Sequence, residues 1–113
     1  MPFELLLSSQ VEETLALLER TDQRRYKKVV RCLAKLEEDP VYPGLNSHPF
    51  ENVKGPRGER IWESYVENNA PSAWRVWWHY GPGTSEITIF AVGPHPPSEQ
   101  VRRAGSTRSS SSP

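Results

Sequence analysis

The sequence predicts an α+β fold: an N-terminal strand, an antiparallel pair of helices, and a three-stranded antiparallel meander on which the helices pack. Three observations carry this. Two stretches of helical apolar periodicity are separated only by Thr21-Asp22. Three β-rich runs follow between residues 61 and 92, divided by Asn68-Asn69-Ala70-Pro71-Ser72 and Gly81-Pro82-Gly83-Thr84. Past Pro97 the composition changes to Ser, Arg and Gly, with only Val101 and Ala104 apolar. The 113 residues therefore divide into one foldable domain, 1–97, and a tail, 98–113, expected to be disordered because it lacks the apolar surface to offset its ordering entropy.

Each element has a local cause. Phe3-Glu4-Leu5-Leu6-Leu7 reads as the first strand. Ser8 or Ser9 can cap a helix whose first turn holds Glu12 and Glu13, where the partial positive charge of the helix start favours carboxylates. Val11, Leu15 and Leu18 keep helical spacing as far as Arg20, with Leu17 widening the stripe. Asp22 caps a second helix from about Gln23 to Glu38, with an apolar face of Tyr26, Val29, Val30, Leu33 and Leu36. Asp39-Pro40 ends it, since the residue before proline is pushed out of the helical region. From Val41 to Glu59 the prolines and glycines predict a long irregular segment. The meander strands are Ile61–Glu67, Ala73–Tyr80 and Glu86–Val92, the last the most hydrophobic and so expected to be central.

Several function classes are excluded. No apolar run approaches the roughly 18 residues a membrane span needs, and Leu5-Leu6-Leu7 is too short for a signal-peptide core. The single Cys32 cannot form an internal disulfide, and with three histidines it makes no zinc spacing. A soluble, cytoplasmic protein without a membrane or metal association is expected. Fourteen basic and fourteen acidic residues cancel, so nothing global marks a nucleic-acid binder. Arg24, Lys28, Arg31 and Lys35 nevertheless form a basic helix stripe, and Lys54, Arg57 and Arg60 make the long segment mildly basic.

Strand alternation selects the candidate site. Trp74, Val76, Trp78 and Tyr80 share one face and suit a core, which leaves Arg75, Trp77 and His79 on the other. With Trp62 turned inward, Glu63 and Tyr65 face outward beside Arg75 and His79. An acid, a phenol, a guanidinium and an imidazole then share one surface; the plain alternative is a Glu63–Arg75 cross-strand ion pair. His95 follows the last strand, pinned by Pro94, Pro96 and Pro97, which lowers the entropy cost of holding its side chain in place.

The order of elements and three local patterns, CLAKLEEDPVYPGL, AWRVWWHY and ITIFAVGPHP, resemble the RelE/ParE toxin superfamily of type II toxin–antitoxin pairs over residues 3–96. The resemblance implies a β-α-α-β-β-β fold, a cognate antitoxin as partner and no cofactor. For the RelE-like branch it implies an endoribonuclease (mRNA interferase) acting on mRNA, often on the ribosome, without a metal. There the ribose 2′-hydroxyl attacks the adjacent phosphate, which needs a base, a cation for the crowded phosphorane and an acid for the leaving oxygen. By this resemblance Arg75 is the phosphate-binding cation and His95 the acid or base. Glu63, Tyr65 and His48 are candidates for the second proton transfer, and Lys54, Arg60, Trp77 and His79 for substrate contact. Two alternatives are a ParE-like toxin that binds DNA gyrase and cuts nothing, and a non-catalytic binding module on the same scaffold.

Overall fold

A computed structural model describes residues 2–68 and 72–97; the tail expected at 98–113 lies outside the described residues. The chain runs β1 (Glu4–Leu7), α1 (Ser9–Thr21), α2 (Gln23–Glu38), a 3₁₀ turn (Pro43–Leu45), β2 (His48–Lys54), β3 (Arg60–Tyr65), β4 (Arg75–Tyr80) and β5 (Glu86–Gly93). One mixed five-stranded sheet results, in the order β1-β5-β4-β3-β2, with β1 parallel to β5 and the other pairs antiparallel.

The caps fall where the sequence puts them. The Ser8 hydroxyl accepts from the Val11 amide at 3.3 Å and donates to the Phe90 carbonyl at 2.9 Å, fixing the start of α1 to β5. Asp22 closes α1 and caps α2 by accepting from the Arg25 amide at 3.1 Å. The buried face of α2 is Val29, Cys32, Leu33 and Leu36; Val30 lies off it, exposed, and so does Leu17 of α1. Helical rotation explains both: each lies about 100° from a neighbouring core position, outside the stripe that meets the sheet.

Two corrections concern the sheet. The segment expected to be irregular contains β2, so the meander has four strands, not three. Pro49 obscures it, but an edge strand tolerates a residue that cannot donate to the ladder, and β2 is an edge. Its register also shifts between Phe50 and Lys54, which breaks the alternation that would mark it. The hydrophobic β5 is paired on both sides, as expected, but the middle strand is β4.

The two faces carry different cores. Val11, Leu18, Val29, Leu33 and Leu36 of the helices pack on Val76, Trp78, Ile87 and Ile89, and burying each aliphatic side chain contributes roughly 1.5–3 kcal/mol. On the opposite face no helix residue joins a second cluster of Val53, Ile61 and Trp77, with Phe50, Phe90 and Ala91 against it. A bulge supplies part of that cluster: Trp77 pairs with Ala91 and Trp78 with Ile89, so Phe90 is extra. Phe90 and Ala91 both serve the open face, and Val92 returns to the helix side.

Candidate functional site

Register lays the open-face residues out in rows. His48, Glu63 and Trp77 are direct cross-strand partners on β2, β3 and β4. One row further along, Tyr65 pairs with Arg75, and Arg75 with Gly93 of β5.

The first row is hydrogen-bonded throughout. The Trp77 indole Nε1 donates to Glu63 Oε2 at 2.8 Å, and Glu63 Oε1 lies 2.7 Å from His48 Nε2. His48 Nδ1 lies 2.6 Å from the Asn46 carbonyl. A carbonyl only accepts, so Nδ1 carries a proton. The contact between Nε2 and Oε1 is then bridged by one proton, which either group can hold. Glu63 is 7% exposed, and its anchorage by two partners is what burial of a carboxyl requires. His48 has a side chain 42% exposed and is the movable member. Asn46 presents its carbonyl from a left-handed conformation, φ 51°, which asparagine adopts at little cost.

The second row holds the cation. Arg75 is half-buried, with its guanidinium carbon 5.1 Å from the centre of the Tyr65 ring, and Tyr65 in turn meets the His48 ring edge-on at 5.8 Å. Arg75 has no carboxylate partner among the described residues. Its Nε is buried without a hydrogen bond. The Nε is out of reach of an incoming anion, but the terminal nitrogens carry no counter-charge and have the planar fork that suits one. Opposite Arg75, Gly93 leaves space: apart from its chain neighbours, no described residue comes within 4 Å of where its Cβ would stand.

His95 is exposed, two residues beyond Gly93. Two chain steps plus one strand spacing put its Cα within about 13 Å of that of Arg75.

The structure thus brings together His48, Glu63, Tyr65, Arg75 and Trp77, with His95 at the same end of the sheet. The residues expected to contact substrate stand differently. Trp77 and His79 are 0% and 4% exposed, so neither offers the surface expected of a substrate contact. Trp77 holds Glu63, and His79 Nδ1 lies 2.9 Å from the Tyr80 carbonyl, where it donates. Lys54 and Arg60 are exposed and paired at the β2–β3 turn; Arg60 lies five residues from Tyr65 along β3, about 17 Å away. No Glu63–Arg75 ion pair forms either: register sets Glu63 opposite Trp77 and Arg75 opposite Tyr65. Among the described residues no cluster of metal-ligating side chains occurs, and no helix is long and apolar enough to cross a membrane.

Sequence reasoning puts Trp78 on the core face but misses the hydrogen-bonded chain it forms there with Ser64 and Ser47. The Trp78 Nε1 donates to Ser64 Oγ at 2.8 Å, Ser64 and Ser47 hydroxyls meet at 2.7 Å, and Ser47 donates to the Pro40 carbonyl at 2.8 Å. Only the register, and the existence of β2, would have pointed to them.

No protein-family model and no curated protein matches the chain. Solved structures do. The YoeB/ParE toxin from Agrobacterium tumefaciens superposes with a TM-score of 0.62 at 14% identity, over 82% of this chain and 99% of that one. The YoeB dimer from Staphylococcus aureus gives 0.62 at 14% identity, over 85% and 100%. RelE in the RelE–RelB complex from Pyrococcus horikoshii gives 0.59 at 16% identity, over 83% and 96%. The chain therefore has the α+β fold of the RelE/ParE toxins.

Proposed function

We propose that the protein is the toxin of a type II toxin–antitoxin pair, an endoribonuclease that cuts mRNA by attack of a ribose 2′-hydroxyl on the adjacent phosphate. The observation that carries this is Arg75: a half-buried guanidinium without a counter-charge, beside a carboxyl–imidazole pair on the helix-free face. The relatives in fold named as toxins, one of them complexed with RelB, support the toxin–antitoxin assignment.

The roles follow from position. Arg75 holds the non-bridging phosphate oxygens with its planar fork, and stabilises the charge that gathers there as the fifth bond forms. The half-exposed His48 ring carries the shared proton off Glu63 Oε1 while its Nδ1 stays on the Asn46 carbonyl, and the freed carboxylate oxygen takes the proton of the 2′-hydroxyl. The 2′-oxygen bonds to phosphorus, the bond from phosphorus to the 5′-oxygen breaks, and His95 gives that oxygen a proton. A cyclic phosphate and a 5′-hydroxyl result.

The test uses full-length chain made by cell-free synthesis and a translated message. Arg75→Ala lowers cleavage by about a hundredfold or more, Arg75→Lys does not restore it, and His95→Ala leaves a slow enzyme. A 2′-deoxy substitution at the scissile nucleotide blocks cutting altogether. Intact messages and unimpaired growth on expression would refute the assignment. One observation favours a second reading, a toxin that binds DNA gyrase and cuts nothing: both Glu63 oxygens and both His48 nitrogens are already occupied. Growth arrest with intact transcripts and inhibited gyrase would select it.

A further inference from the structure

We propose that Ser47, Ser64 and Trp78, on the helix-covered face of the sheet, are positioning residues for the His48–Glu63 pair on the other face. The kinetic part of this proposal rests on the ribonuclease function; the geometric part does not.

The molecule carries two side-chain chains that run in parallel from β4 through β3 toward β2. They use consecutive residues at every step: Trp77 and Trp78, Glu63 and Ser64, His48 and Ser47. Alternation sends one member of each pair to each face. Both chains end on a backbone carbonyl of the segment that leads into β2, Asn46 on the open face and Pro40 on the helix face. That segment sinks Leu45 into the helix-side core and sets Tyr42 against Lys35, and its backbone ties are local. Its backbone contacts are the local turns Tyr42 to Asp39, Leu45 to Tyr42 and Asn46 to Pro43, and it exposes Val41 and Tyr42. The two chains add side-chain hydrogen bonds between this segment and the sheet, one on each side.

Proton bookkeeping distinguishes the chains. On the helix face every proton is assigned by the ends. The indole can only donate, so Ser64 accepts from Trp78; the Pro40 carbonyl can only accept, so Ser47 spends its proton there. Ser64 must then donate to Ser47, and no freedom is left. Ser64 and Trp78 are both 0% exposed, so water cannot substitute for a lost partner without a rearrangement. On the open face the ends fix all but the one proton between His48 Nε2 and Glu63 Oε1. The helix-face chain is a rigid clamp, and the open-face chain has a transferable proton. Because Ser47 and His48 are adjacent, the clamp sets where the His48 ring and the Asn46 carbonyl stand relative to Glu63.

The experiment compares wild type, Ser47→Ala, Ser47→Thr and Val29→Ala as full-length chains labelled with ¹⁵N at histidine. Val29 is a fully buried α2 residue that shares the helix-side core with Trp78 but belongs to neither hydrogen-bonded chain, so its truncation reports lost packing with every link of both chains in place. Two-bond ¹H–¹⁵N couplings of the His48 ring report which nitrogen carries a proton. The wild type shows a fixed Nδ1–H. Ser47→Ala averages the two nitrogens and lowers kcat for RNA cleavage by about ten- to a hundredfold with KM within about twofold, the cost of a misplaced catalytic pair. Ser47→Thr, which keeps the hydroxyl, restores both, and Val29→Ala moves neither. Altered His48 signals in Ser47→Ala without any ribonuclease activity in the wild type would uphold the clamp and remove the nuclease. Wild-type His48 signals in Ser47→Ala, or an equal change in Val29→Ala, overturn the proposal.

Discussion

Glu63 and Trp77 should be energetically coupled far more strongly than two strand neighbours ordinarily are. The indole N–H donates to a carboxyl that is 7% exposed, and the ring that carries it is completely buried. Trp77→Phe keeps most of the packing against Phe50, Val53 and Ile61 but removes the donor. A hydrogen bond to a charged group contributes about 1.5–3 kcal/mol, and the smaller ring costs on the order of 1 kcal/mol more, so Trp77→Phe should lose about 2.5–4 kcal/mol. Glu63→Leu removes the acceptor and leaves the indole N–H buried and unpaired, at about 1–3 kcal/mol for that group alone. In the double variant neither partner remains to be frustrated. Its loss should therefore fall short of the summed single losses by about 1.5–3 kcal/mol. Urea denaturation of the four proteins, followed by far-UV circular dichroism because a tryptophan is being removed, measures this. A coupling below about 0.5 kcal/mol, the level of independent sites, would refute the view that Trp77 is there to hold Glu63.

Two further outcomes concern titration. Burial alone would raise the Glu67 carboxyl, but the Trp74 amide at 3.0 Å, then the Arg25 hydrogen bond and charge, then Lys28, together hold it below its ordinary value of 4.5. A carboxyl lowered in the folded state adds stability above its unfolded value, about 4.3, and loses it as pH falls through the folded one. The stability gap between wild type and Glu67→Gln should thus be constant above pH 6 and shrink toward pH 3; a gap independent of pH in urea titrations would contradict this. Burial pushes the Cys32 thiol up to about 12. At pH 8 only about one thiol in ten thousand is then ionised, so a disulfide reagent should label it only through unfolding, at rates that rise with urea. Stoichiometric labelling of native protein within minutes would count against its burial.

Much of the architecture was legible because local rules and tertiary packing agree. The caps at Ser8 and Asp22, the stop at Asp39-Pro40 and the alternation through Trp74–Tyr80 each follow from one short stretch of chain, and each recurs in the fold. What was not legible depends on pairings between stretches. β2 is an edge strand with a proline and a register shift, so its residues do not alternate as a strand's should. Without β2 there is no row of His48, Glu63 and Trp77, and no reason to bury Trp77 beneath one. The surface expected to be open is half covered by Phe50 and Val53 from that same strand and by the bulged Phe90. Glu63 and Arg75 were correctly assigned to one face, but only register shows that they stand one row apart and that each has an aromatic partner instead of the other.

The division of labour between the rows has a consequence for interpreting any variant series. Residues of the first row serve stability and chemistry together: Glu63 and Trp77 are buried and bonded, so changing either loosens β2 as well as the acid–base pair. The second row is different. Arg75 forms no ion pair among the described residues, and His95 is exposed past the end of β5, so neither is needed to hold the sheet. Removing the Arg75 guanidinium even relieves an unsatisfied buried donor. A partly buried cation kept without a counter-charge is a standing cost to the folded state, and such costs persist where an external ligand supplies what the fold withholds. Arg75→Met should accordingly fold as well as the wild type or better, and anion binding should be what it loses. That inverse relation between stability and binding separates a phosphate site from a structural arginine, whose loss would lower both.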